Sequence, residues 1–159
     1  MRKRICLFLI SFWFLFSCSG ASSIVKKSWK NSGNSLAIID MTRQENSLME
    51  IGSLLRHAIE ETLLTTNFVV SDGSTNYKLK YKIVDYVEGS RWKRMATIGA
   101  LSKVGQSKLK VQAALFHHKK LVGRWDIESW LNDGLFGGTE DILFRKAARK
   151  IVEHLKGDY

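Results

Sequence analysis

At 159 residues the chain has room for one domain rather than two. A composition of 45% hydrophobic and 11% aromatic residues supplies a core and excludes a disordered or fibrous chain. The formal charge is +10, and a surplus near +7 remains once Arg2, Lys3 and Arg4 are set aside, which favours anionic company such as phosphate head groups or wall polymer.

Those three cations open the chain, and residues 5–16 form an apolar run broken only by Ser11. The run is too short to span a bilayer, which takes ~20 residues, and has the architecture of an export signal. Next comes Leu15-Phe16-Ser17-Cys18, which resembles the lipobox of bacterial lipoproteins in all but Phe16, where a small residue is usual. The resemblance implies a signal peptide over residues 1–17, cleavage before Cys18, and acylation of its thiol. Ser19, in place of an aspartate, implies the periplasmic face of the outer membrane. Cleavage after Ala21, giving an unlipidated periplasmic protein, is the alternative. With Cys6 lost in the signal, Cys18 stands alone and no internal disulfide is possible, which leaves lipidation as its role.

Residues 18–34 are rich in Ser, Gly, Asn and Lys and read as a flexible tether, with Ile24, Val25 and Trp29 as its docking residues. A single periplasmic domain over 35–157 follows. Leu36-Ala37-Ile38-Ile39 is a short apolar run, the mark of a strand buried on both faces. Ser47 and Glu50 form a capping-box pattern for a helix with Leu48, Ile51, Leu55, Ala58 and Thr62 on one stripe, Leu54 beside it and Glu60 and Glu61 outside. Phe68-Val69-Val70 begins another strand, and Ser71-Asp72-Gly73-Ser74 is turn chemistry.

From Tyr77 the period changes to two. Tyr77, Leu79, Tyr81 and Ile83 alternate with Lys78, Lys80 and Lys82, giving one dry and one wet face. Leu109, Val111, Ala113 and Leu115 alternate with Lys108, Lys110 and Gln112; Leu121, Trp125, Ile127 and Leu131 alternate with Arg124, Asp126 and Glu128. The link through His117, His118, Lys119 and Lys120 joins these two as a hairpin. Gly134, Gly137 and Gly138 form a structural loop and Thr139 caps the last helix. That helix places Phe144, Ala147 or Ala148, Ile151 and Leu155 inward and stops at Gly157. The expectation is an α/β two-layer sandwich: a mixed, mainly antiparallel sheet of about five strands with two helices on one face, in the order β-α-β-β-β-β-α.

The second half resembles a family of secreted bacterial lipoproteins classed as domain of unknown function 4410. The strand after Asn76, the connection from Arg91 to Gly105, the strand from Lys108 to Leu115 and the Gly134-Leu-Phe-Gly-Gly-Thr139 run carry the likeness. The chain departs from that family in having fewer glycines between Ile98 and Lys108 and a charged hairpin turn. A more general likeness extends to penicillin-binding-protein activator lipoproteins and the amino-terminal domain of TolB. The resemblance implies location and fold and brings no active-site residues.

No chemistry emerges from spacing. His57, His117, His118 and His154 lack ligand partners, so no metal and no cofactor are expected. There is no Gly-x-Ser-x-Gly elbow and no Cys–His pair. Glu140 and Asp141 fit a helix start, where acids suit the dipole. Trp125 belongs to the core, whereas Trp130 and Trp92, the latter among Arg91, Lys93 and Arg94, suit an interface. Between Gly89 and Trp125 lie Arg91, Lys93, Arg94, Lys103, Lys108, Lys110, Lys119, Lys120 and Arg124 with no acidic residue. Arg91, Lys93, Arg94, Lys103, Lys108, Lys110 and Arg124 are the expected contacts for an anion or partner. The sequence therefore predicts a non-enzymatic envelope lipoprotein, lipid-anchored at Cys18, that is a binding or assembly accessory for another envelope protein. The alternative is a binder of an anionic lipid or glycan; nucleic acid is not expected for an exported chain.

Overall fold

The computed structural model describes residues 19–30, 34–42, 46–71, 75, 77–88, 106–131 and 141–157. In chain order the elements are β1 (Ser19–Lys27), β2 (Ser35–Asp40), α1 (Asn46–Leu63), β3 (Val69–Val70), β4 (Tyr77–Val87), β5 (Ser107–His117), β6 (Lys120–Leu131) and α2 (Asp141–Lys156). The six strands form one sheet in the order β1-β6-β5-β4-β2-β3. The pairs β1·β6, β6·β5 and β5·β4 are antiparallel, and β4·β2 and β2·β3 are parallel. Both helices pack on one face and on each other, α2 over β6, β5 and β1 and α1 over β2, β3 and β4. The mixed two-layer α/β sandwich is as expected, with one strand more.

The additional strand is a correction. The segment read as a flexible tether over 18–34 contains β1, which pairs with β6 from Ser19↔Leu131 to Lys27↔Arg124. Its Ser, Gly and Ala side chains gave no alternation to read, because one edge of the strand and most of one face stay in solvent. Small residues here serve packing: a Cβ on Gly20 would strike the Trp130 indole, which lies over it on the outer face of the sheet. Trp130 is accordingly half-buried against its own sheet. Beyond the strand Trp29 is buried, donates its indole Nε1–H to the His154 carbonyl at 2.9 Å, and sits 5.4 Å from the Tyr77 ring. Ile24 and Val25 remain exposed.

The period-two reading of β4 and β5 holds: Tyr77, Leu79, Tyr81 and Ile83, and Leu109, Val111, Ala113 and Leu115, are buried under the helices. In β6 it holds from Gly123 to Leu131 and fails at Leu121. A register shift pairs Leu115 with Gly123 but Phe116 with Leu121. The extra residue, Val122, packs against the core, and Leu121 is turned to the outer face. Gly123 is required by its neighbour: a Cβ there would lie 2.7 Å from Cζ2 of Trp125, whose ring is fully buried. The β5–β6 turn has His118 and Lys119 at its centre with φ of 46° and 70°, the positive angles of a type I′ hairpin.

In α1 the buried stripe includes Leu55, Ala58, Ile59 and Leu63, and Leu54 is 43% exposed, so the helix is rotated slightly from the predicted face. Gly52 lies on the buried side of the helix. It meets the carboxylate of Asp40 where a side chain would collide, and its carbonyl accepts from the Tyr81 hydroxyl at 2.9 Å. Burial, then the nearby Asp40, hold the Tyr81 phenol far above its ordinary range, so it remains a donor. The stripe of α2 is as expected, with Leu143, Val152 and His154 also buried. Gly157 ends it at φ 84°, its N–H bonded to the His154 carbonyl.

Candidate functional site: a divided sheet face and a serine–histidine contact

The face of the sheet away from the helices is built of cross-strand rows, because residues directly opposite in a ladder share a face. The row nearest the start of β1 is Gly20, Trp130, Lys108 and Val87; the next is Ser22, Glu128, Lys110 and Asp85. Then come Ile24, Asp126, Gln112 and Lys82, followed by Lys27, Arg124, Ala114, Lys80 and Ile39. Last is the row of Leu121, Phe116, Lys78 and Ala37, beside the hairpin turn.

This register divides the charge. Lys108 pairs with Glu128 at 2.5 Å and Lys110 with Asp85 at 3.9 Å, so the half of the face near the start of β1 is discharged. These two lysines were expected anion contacts, and the structure places each opposite a carboxylate across the ladder that sequence order kept out of sight. Arg124, also expected, lies exposed in the other half with Lys27, Lys78 and Lys82 and the half-buried Lys80, and Lys119 and Lys120 stand at the adjoining turn. Among the described residues the acid in those rows is Asp126, which already faces Lys26 at 3.8 Å.

Within the charged half lies an open hollow of about 250 Å³. Ala114 and Phe116 floor it, Leu121 and Met41 add apolar surface, Gln112 offers an amide, and Lys80, Lys82 and Arg124 rim it. The Lys80 ammonium stands 5.1 Å from the Phe116 ring centroid. The bulge at Val122 is what delivers Leu121 to this hollow. Arg91, Lys93, Arg94 and Lys103, Gly134, Gly137 and Gly138, Cys18, Trp92 and the Thr139 cap lie outside the described residues.

One constellation escaped sequence reasoning because 131 positions separate its members. His154 Nε2 lies 2.7 Å from Ser23 Oγ, joining α2 to the edge strand. That is the spacing of a nucleophile and its base. The surroundings are those of a joint. The imidazole is 4% exposed and stacks on Trp125 at 5.4 Å with planes 9° apart, and burial followed by the Lys150 charge lowers its proton affinity. Neither the hollow above nor a second one of about 320 Å³, lined by Asn34, Thr65, Thr66, Asn67, Phe68 and Lys156, touches the pair. Lys146 adds a parallel tie, its Nζ donating to Ser19 Oγ at 2.6 Å. No group of three His, Cys, Asp or Glu side chains among the described residues is placed to hold a metal ion. None of the described helices is long and apolar enough to cross a membrane.

No family model and no curated protein matches the chain. Solved structures do. A single-residue variant of the PelC dodecamer from Paraburkholderia phytofirmans is similar with a TM-score of 0.53 and 10% identity, over 87% of this chain and 99% of that one. A second PelC dodecamer structure from that organism gives 0.52 and 9%, over 84% and 98%. A minor lipoprotein from Acinetobacter baumannii gives 0.45 and 11%, over 77% and 92%. The chain thus shares the fold of the PelC subunit over nearly that subunit's whole length.

Proposed function

We propose that the chain is a bacterial envelope lipoprotein, anchored through Cys18 at the periplasmic face of the outer membrane, that works by binding and carries no catalysis. The divided outer face carries the binding reading: cations without a carboxylate partner among the described residues surround a hollow with an apolar floor. Such a surface holds an anionic partner by screened attraction and gives its apolar parts somewhere to rest. The Ser23–His154 pair fits a binding role, since it joins β1 to α2 and the imidazole is buried and borders neither hollow. The anchoring reading rests on the basic, apolar and cysteine-terminated order of the first 18 residues.

Fractionation of cells producing the Cys18→Ala variant tests the anchor. Release of the chain to a soluble fraction by a high-salt wash, or its retention in the inner membrane as uncleaved precursor, is expected; outer-membrane association that survives the wash as the parent's does refutes the reading. PelC chains assemble as dodecamers, and an accessory role by self-assembly is the form of this reading that the shared fold favours. The native mass of detergent-extracted protein decides between a closed multimer and a monomer, and a monomer at every concentration removes the assembly part.

A further inference from the structure

Because β1 replaces the expected tether, an anchored chain is held close to its lipid. β1 begins at Ser19, the residue bonded to Cys18, so the attachment point lies within one Cα–Cα step, ~3.8 Å, of a strand locked into the sheet. Ser19 is further held by Lys146. The row beside that corner is Gly20, Trp130, Lys108 and Val87. The row of Lys27, Arg124 and Lys80 lies on the same face six residues further along β5 and β6, roughly 20 Å at 3.3 Å per residue.

Resting on the proposed anchor, we infer that the chain attaches to its own bilayer at two points, the acyl chains at Cys18 and the cationic half of the outer sheet face laid on anionic head groups. The charge count argues for it. Eight cations, Lys26, Lys27, Lys78, Lys80, Lys82, Lys119, Lys120 and Arg124, cluster in and beside the charged rows and the turn, against Asp126 among the described residues. Clusters of four to eight cations at a membrane surface hold anionic lipid.

Reach argues for the same occupant. Attachment at the corner of the face makes the anchoring bilayer an intramolecular partner, at an effective concentration that a soluble polyanion does not have. A domain standing upright on its lipid keeps the cations roughly 20 Å from the surface, beyond two Debye lengths of ~8 Å at physiological salt. The attraction is gained only when the face lies down. Exposed Ile24 and Met41, with Phe116 and Leu121 in the hollow, then meet the interface beside the cations. The hollow takes a lipid phosphate between Lys80 and Arg124.

Two measurements test this, each readable without the other. The first uses the mature chain, residues 18–159 with Cys18→Ser, and vesicles of phosphatidylcholine with or without phosphatidylglycerol. Binding to the anionic vesicles, lost at high salt, is expected. Lys80→Gln with Arg124→Gln weakens it roughly thirtyfold, whereas Lys108→Gln with Lys110→Gln, an equal change in net charge, weakens it less than about threefold. Equal losses for the two pairs, with melting curves like the parent's, overturn the inference. The second uses the acylated chain in anionic vesicles with a fluorophore at Lys119→Cys, at the far end of β5. A lipid-borne quencher reaches that label if the face lies down. An upright domain holds the label roughly 30 Å away, and an unquenched label overturns the inference. Binding of polygalacturonate to the same cations with the label unquenched does so too, and assigns the face to a soluble glycan. A chain that is not acylated in the native envelope removes the anchor and with it the two-point attachment, whereas failure of the first measurement overturns the inference and leaves the anchor standing.

Discussion

Replacing Trp29 separates a tether from a strand that belongs to the domain. In a tether, Trp29→Ala changes stability by less than about 0.5 kcal/mol, as exposed substitutions do. In the structure the ring is 9% exposed, rests against Tyr77, and gives its N–H to the His154 carbonyl. Burial of a tryptophan removes ~150–250 Å² from water, which at ~25 cal/mol per Å² is an upper bound of about 4–6 kcal/mol. Alanine keeps part of that, and the lost hydrogen bond adds about 1 kcal/mol. The expected loss is therefore about 3–5 kcal/mol, the range for large aromatic truncations in cores. With a urea m-value of about 2 kcal/mol/M the unfolding midpoint falls by roughly 2 M. Trp29→Phe keeps most of the packing and loses the donor, so its shift is about a third of that. A midpoint for Trp29→Ala within the error of the parent's refutes the integration of the segment after β1.

His154 titrates lower in the folded chain than in the unfolded one because it is buried and faces Lys150, with Glu153 opposing. Its contribution is complete above pH ~6.5 and declines as pH falls below that value, where the unfolded chain takes up a proton that the folded chain resists. Urea titrations at stepped pH show this slope, and His154→Gln, itself less stable, flattens it. Gly123→Ala costs about 1–3 kcal/mol, since the added Cβ meets a fully buried ring with nowhere to move, and a neutral result in thermal melts contradicts that packing. His118→Asn with Lys119→Gly relieves two positive-φ residues and raises stability by about 1 kcal/mol; a loss shows that the turn has another geometry.

Much of the fold was legible because burial on one face writes a period into the chain. Tyr77 to Ile83 and Leu109 to Leu115 show it at two, and Phe144 to Leu155 at the helical repeat, and each lies where that period puts it. β1 was illegible since its strand character comes from pairing with β6 and its Gly20 answers to Trp130. Leu121 was misplaced by a single bulge, which parity cannot foresee and which supplies part of the hollow. The basic surplus was visible, but its sorting was not. Whether a lysine meets a carboxylate depends on cross-strand register, so Lys108 and Lys110 proved paired while Arg124, with Lys78 and Lys82, faces solvent. The Ser23–His154 contact depends on the final packing of α2 against the edge strand, and no local pattern encodes it.

The intact mass of the protein taken from its native envelope tests the anchored-lipoprotein reading most directly. The expected product begins at Cys18 and carries a diacylglyceryl group on the thiol and a further acyl chain on the new amino terminus. A chain beginning at Ser22, or a Cys18 with a free thiol, contradicts it.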